Sequence, residues 1–259
     1  MSFDRLRNPI VLAVSLLIGS TPASAADFNS LYTAGHADFA AGYDSTNGLH
    51  LFFELSSTAR VDGSLIGGSG ASADPSSISV VVPESVLATG HANLPSPYGG
   101  SPLYLLSSTS AGATSRPFLG FGAEEIDAGL FDGDLVSLGL TGFSSTSGGE
   151  FVLYTNGSQS SPAMSTADGI SAFDSIDLFA GGHDHYNLGF TEAGVYDLTF
   201  TVSGALVGGG LETANAVVRF VVGEVQAPAV PEPGSLAMAG AATVAMTVAL
   251  RRSVRRRRF

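Results

Sequence analysis

The sequence predicts an all-β domain, an Ig-like or jelly-roll-type sandwich with long loops, flanked by a short apolar segment at each end. Three observations point there. Short apolar or alternating runs recur from residue 48 to residue 222, turns rich in Gly, Ser, Pro and Asn separate them, and helical periodicity is sparse over the same stretch. The Asn47-Gly48 pair is a hairpin signal and opens a strand over Gly48–Leu55. Ile78–Val82 is stopped by Pro83, which has no N–H to donate to a ladder. Leu103–Leu106 follows Pro102. Leu135–Leu140 and Phe151–Tyr154 run or alternate apolar, Val195–Val202 alternates strictly, and Ala216–Val222 closes the set. Two short helices are expected, over residues 83–88 and over 122–128 around Glu124-Glu125. Residues 156–167 read as a mobile Ser/Gly/Pro loop, and Gly208-Gly209-Gly210 as a hairpin turn. A single domain over 26–225 accommodates all of this.

Composition narrows the chemistry. The 259 residues include no cysteine, which excludes a disulfide scaffold, a thiolate zinc site, an iron–sulfur cluster and a thiol nucleophile. All eleven basic residues are arginine, and eight of them lie near the chain ends. Between residues 26 and 229, three arginines (Arg60, Arg116, Arg219) face 21 acidic residues, a net charge of −18. So anionic a body repels a phosphate backbone, and no nucleic-acid partner is expected. Cations are the natural guests.

The ends read as addresses. Arg5 and Arg7 precede an apolar run from Ile10 to Ile18, and Ala23-Ser24-Ala25 supplies a small-residue cleavage site. Residues 1–25 therefore form a secretory signal peptide with a helical core, cut after Ala25 by signal peptidase. A membrane-anchoring helix is the alternative, but a run of nine residues, Ser15 among them, is short for a bilayer. Residues 226–259 comprise a linker, Pro231-Glu232-Pro233, a transmembrane helix over Leu236–Leu250 and an arginine tail from Arg251 to Arg258. Those 15 residues span roughly 22 Å, short for a core of about 30 Å. The arginines would stay cytoplasmic and the body outside. A plain tail anchor is one reading. The tripartite pattern, however, closely resembles the PEP-CTERM sorting signal. That resemblance implies a Gram-negative envelope, an exosortase acting near Pro231, Glu232 and Pro233, transient anchoring by the helix, and delivery to the cell surface or extracellular matrix.

The histidines are where chemistry gathers. In a strand, residues i and i+2 share a face, so His183 and His185 of His183-Asp184-His185 can offer two imidazoles to one ion. His36-Ala37-Asp38 repeats that geometry with a carboxylate in place of one imidazole. If the two segments pair, three histidines and Asp38 converge. They would close a tetrahedral zinc site, or leave one position for water if Asp38 only supports a ligand. The plainer reading of His-x-His is an exposed loop feature. Asp184 points to the other face. His50 is expected as a hydrogen-bonded core residue and His91 as a loop residue.

Longer stretches resemble a known family. Gly35-His36-Ala37-Asp38-Phe39 with Gly48-Leu49-His50-Leu51, then Ser101–Leu106 leading to Gly120–Ile126, and finally His183-Asp184-His185-Tyr186-Asn187-Leu188-Gly189-Phe190-Thr191 with Gly194-Val195-Tyr196, are similar to the choice-of-anchor M domain, related to an actinobacterial surface-anchored domain. The likeness spans about residues 30–222, with Leu188 where the family has Trp. It implies an exported protein with a role in divalent-metal handling, zinc foremost, and His36, His183, His185 and Asp38 as ligands.

Weaker candidates complete the search. Asp127, Asp132 and Asp134 form an acidic turn without EF-hand spacing. Glu124-Glu125 lacks a partner for paired-carboxylate hydrolysis, and no serine sits in a Gly-x-Ser-x-Gly elbow. The expected function is a non-enzymatic, surface- or matrix-targeted metal-binding protein. The alternative is a structural or adhesive matrix protein that meets extracellular polysaccharide and has no metal function.

Overall fold

The computed structural model describes residues 27–223 apart from Gly67 and Ser69. Ala25, Pro231, Glu232 and Pro233, with the signal and sorting helices, lie outside the described residues. The described chain is nearly all β. The strands are β1 (Ser30–Asp44), β2 (Gly48–Leu55), β3 (Arg60–Val61), β4 (Ser64–Leu65), β5 (Ala71–Ala73), β6 (Ile78–Val82), β7 (Leu87–Thr89), β8 (Pro102–Leu106) and β9 (Pro117–Glu125). They continue with β10 (Leu135–Ser145), β11 (Phe151–Tyr154), β12 (Met164–Ser165), β13 (Ser175–Phe179), β14 (His183–His185), β15 (Asn187–Phe190), β16 (Gly194–Ala205) and β17 (Leu211–Val222). Short 3-10 turns are the sole helical elements among the described residues. No helix there is long and apolar enough to cross a membrane.

The larger sheet runs β13-β10-β16-β17-β6-β1-β2-β5, with β9 also beside β1, β14 beside β9, and the β3–β4 ribbon on the start of β1. A smaller sheet runs β12-β11-β15-β8-β7. β1 joins two regions of the larger sheet. Its first residues pair with β6 and β3, and from Gly35 onward it lies between β2 and β9. Gly35 makes this change of partners possible. It sits at φ +87°, and a Cβ there would stand 2.0 Å from the Thr58 carbonyl oxygen. The Tyr32 hydroxyl donates to the Gly35 carbonyl at 2.6 Å and accepts from the Phe118 N–H at 3.3 Å, tying the bend to β9.

The core lies between these layers. Phe39 of β1 packs on Phe53 of β2 at 5.5 Å between centroids and on Phe200 of β16 at 5.4 Å. Phe190 of the smaller sheet meets Tyr196 and Phe220 of the larger at 5.0 and 5.1 Å. Face-to-face burial of this kind is what a sandwich requires. Leu188, where the resembling family has Trp, is buried in the same core. A satellite cluster of Leu94, Tyr98, Leu103, Val152 and Tyr154 covers the other side of the smaller sheet.

Three expectations need correction. Residues 122–125 are strand, as the end of β9, and residues 83–88 hold one 3-10 turn followed by β7. Pairing decided both: β7 lies on β8, while Gly120 and Gly122 are poor helix formers with ladder partners from β1 and β14 on either side. Residues 156–167 are not wholly loop either. Met164 and Ser165 form β12 on β11 and are buried. The triple glycine does lie in the β16–β17 turn, with all three φ angles positive.

Candidate metal centre

The site is built on the outer face of β1, β9 and β14. On β1, Ala37 and Phe39 turn into the core while His36 and Asp38 turn outward. His36 lies opposite Phe118, and Asp38 opposite Gly120. On the far side of β9, His185 pairs with Gly120 and His183 with Gly122. The two histidine-bearing segments thus do not pair with one another, as the sequence expectation required. They flank β9 and converge across it.

Two glycines permit that convergence. A Cβ on Gly120 would stand 1.9 Å from Asp38 Oδ1 and 3.0 Å from His185 Cε1. A Cβ on Gly122 would be 3.2 Å from His183 Cβ. Without side chains at these positions, the carboxylate and the imidazoles lie directly over the β9 backbone.

The four side chains form one cluster. Ring centroids are 5.2 Å apart for His36 and His185, 5.8 Å for His36 and His183, and 5.4 Å for His183 and His185. One potential ligand atom from each of His36, Asp38, His183 and His185 lies within 4.8 Å of all the others. His36 Nε2 and Asp38 Oδ2 are 3.4 Å apart. With ligand bonds of 2.0–2.2 Å, the edge of a tetrahedron around zinc is about 3.4 Å. That pair already has the spacing, and the donors of the other two lie within 4.8 Å of it.

Each imidazole of β14 is held by its other nitrogen. His183 Nδ1 is 2.9 Å from Glu124 Oε1, and His185 Nδ1 is 3.2 Å from the Leu119 carbonyl. A carboxylate or carbonyl on one ring nitrogen fixes the tautomer that leaves the other lone pair for an ion. Phe118 stacks on His185 at 3.9 Å and 5°, which fixes the ring plane. The hydrogen bond to Glu124 raises His183 above the ordinary imidazole value, whereas burial lowers His185 and favours its neutral form.

Asp38 is the focus of the electrostatics. It is 3% exposed, and its Oδ1 is buried with no hydrogen-bond partner among the described residues. Buried carboxylate oxygens are normally satisfied, and leaving one unpaired is costly. Directly across the β1–β2 ladder stands Glu54, whose Oε2 is also buried and unpartnered. Burial raises the Glu54 carboxyl, and the negative charges of Glu124, Glu125 and Asp38 raise it further. Like charges opposite each other in a ladder destabilise it. A cation at the cluster would relieve both carboxylates.

The other candidates lie apart from this group. His50 is hydrogen-bonded, with Nδ1 3.0 Å from the Gly48 carbonyl, but it stands half-buried on the outer face and not in the core. His91 is an exposed loop residue whose Nδ1 accepts from the Asn93 N–H at 3.3 Å. Asp184 is exposed. Asp134 Oδ1 caps its own turn by accepting from the Gly129 N–H, and the aspartates at 127, 132 and 134 are no part of the cluster. Sequence reasoning missed Glu124 as a partner of His183, and Gly120 and Gly122 as the floor. Glycines at alternate positions of an apolar stretch were the available signal.

Comparison of the chain with family models, with curated proteins and with solved structures finds no match. The cluster therefore speaks through its own geometry. Among the described residues it is a group able to hold a metal ion.

Proposed function

We propose that this chain is an exported, non-enzymatic surface or matrix protein that holds one zinc ion through His36, Asp38, His183 and His185. The observation that carries the reading is the buried, unpartnered Asp38 Oδ1 amid three imidazoles. Among the described residues nothing else satisfies it. The donor set, three imidazole nitrogens and one carboxylate oxygen without thiolate, suits zinc and other late divalent metals and not the oxygen-seeking calcium or magnesium. Four protein donors also favour a closed, structural or carrying site over a catalytic one, which keeps an open position.

The terminal motifs support export. The A-x-A site ending at Ala25 and the tripartite segment around Pro231, Glu232 and Pro233 would make signal peptidase and an exosortase the processing partners. The body, of choice-of-anchor M type and sandwich architecture, would then face the outside as a metal-handling domain.

Metal analysis and zinc titration of chelator-stripped protein test the reading. One zinc per chain is expected, lost on replacing His183 and His185 together with alanine. Absence of bound or titratable zinc in the wild-type chain overturns it.

A further inference from the structure

A second cleft shares no residue with the histidine cluster and has no histidine or arginine in its lining. This cleft of about 410 Å³ is lined by the 95–96 turn, by Ser160, Ser161 and Pro162, and by the turn from Ala167 to Asp174. That volume is within the range of small-molecule sites, ~300–1,000 Å³. Its floor is a rigid polar network. Asp174, 8% exposed, accepts from the Ser165 N–H at 2.8 Å through Oδ1, and from the Ser171 N–H and hydroxyl at 2.7 and 3.0 Å through Oδ2. The buried Tyr98 hydroxyl accepts from the Ala167 N–H at 3.2 Å and donates to the Phe151 carbonyl at 2.8 Å.

On this anchored turn stands Phe173. Its backbone N–H donates to Ser171 Oγ at 3.2 Å, and its carbonyl accepts from the Ser175 N–H at 2.9 Å. The backbone is thus held at both ends, yet the ring is 92% exposed. A pinned turn that presents an aromatic face to water, beside a cleft of serine side chains, suits a ligand with both an apolar face and many hydroxyls.

Charge selects among such ligands. No basic side chain lines the cleft, so an anion finds no counter-charge. The oxygens of Asp174 are already engaged by N–H and O–H donors, which leaves Asp168 as the one other carboxylate of the lining, fewer than the donors a metal ion gathers. We infer that this cleft binds a neutral sugar residue, stacked on Phe173 and hydrogen-bonded to the hydroxyls of Ser96, Ser160 and Ser161 and to Asp168 at the rim. The C–H groups on one face of a pyranose carry slight positive charge and meet the negative face of the ring. The hydroxyls around its edge match the serines, and a carboxylate is a strong acceptor for a sugar O–H.

The test is calorimetric titration with neutral hexasaccharides (cellohexaose, maltohexaose, mannohexaose and chitohexaose) and with an oligoglucuronate, on the zinc-loaded and chelator-stripped chain. The chain lacks tryptophan, so fluorescence is no substitute. At least one neutral hexasaccharide is expected to bind equally with and without zinc, with affinity at least tenfold lower in Phe173→Ala and retained in Phe173→Trp. Both variants alter a surface side chain, and unchanged melting temperatures would show them folded. Binding by none of the neutral probes, binding that survives Phe173→Ala, preference for the oligoglucuronate, or loss of binding on chelation each overturns the inference.

Discussion

Asp38 concentrates the argument at the scale of single residues. Its carboxylate is buried, its Oδ1 unpartnered, and its nearest charged neighbours are carboxylates or imidazoles that can be neutral. Asp38→Asn keeps the volume and removes the charge, and the amide N–H can donate to His36 Nε2. Zinc affinity is expected to fall at least tenfold, about 1.4 kcal/mol, in isothermal titration, while the melting temperature of the metal-free chain does not fall. A clear destabilisation of the metal-free variant would show that the carboxylate serves the apo fold. Glu124→Gln tests the support of His183. Partners on the far nitrogen of a ligating histidine typically matter by 10–100-fold, so zinc affinity is expected to drop by about tenfold with the stoichiometry unchanged. At this scale the sequence was informative about His36, Asp38, His183 and His185, because a two-residue period places such pairs on one face. Glu124 was hidden because its relation to His183 depends on pairing between strands 59 residues apart.

At the scale of elements, β9 decides the site. It was expected to yield to a helix at residue 122, since Ala-Glu-Glu favours one, but ladder partners on both sides held it extended. Its glycines give the imidazoles and the carboxylate room over the backbone. Gly120→Ala should therefore abolish zinc binding although it alters no ligand, because Cβ would occupy the place of Asp38 Oδ1. The expected cost to the fold is about 1–3 kcal/mol, typical of overpacking, read by chemical denaturation alongside the titration. Retained zinc binding would mean that Asp38 swings clear and is not a ligand. The strands that lay open in the sequence were those with alternation and turn residues of their own, such as Gly48–Leu55 and Val195–Val202. β12 was obscure because two residues carry no period, and tertiary pairing alone makes them a strand.

For the whole molecule, a metal that binds the folded state alone stabilises it by mass action, about 2.7 kcal/mol at a hundredfold excess over Kd. In a domain of this size that corresponds to roughly 5–10 °C in melting temperature. Protonation competes with the ion. His183 is raised by Glu124, so it takes up a proton above the ordinary imidazole range near pH 6.5, while His185 is lowered and follows later. In the metal-free chain the two effects oppose. The raised His183 stabilises below about pH 6.5 and loses that contribution as pH rises through its folded value. The lowered His185 costs stability as pH falls below the same point. The zinc-induced gain in melting temperature is expected to be larger at pH 8 than at pH 6 by calorimetry. An equal gain at both would exclude imidazole ligation.

The placement of the ligands has a further meaning for a chain without cysteine. His36 stands near the start of the described chain and His185 near its last third, so one ion bonded to both would close a loop of well over a hundred residues. Such a bond is a cross-link in all but name. By the chain-entropy account, closing a loop of about a hundred residues with a disulfide is worth up to ~4.7 kcal/mol, and an ion acts in that way only where it stays on both segments in the unfolded chain. Unlike a disulfide it needs no oxidant and can be undone by a chelator. If this chain holds such an ion, its durability would follow the supply of the metal and not the redox state of the surroundings.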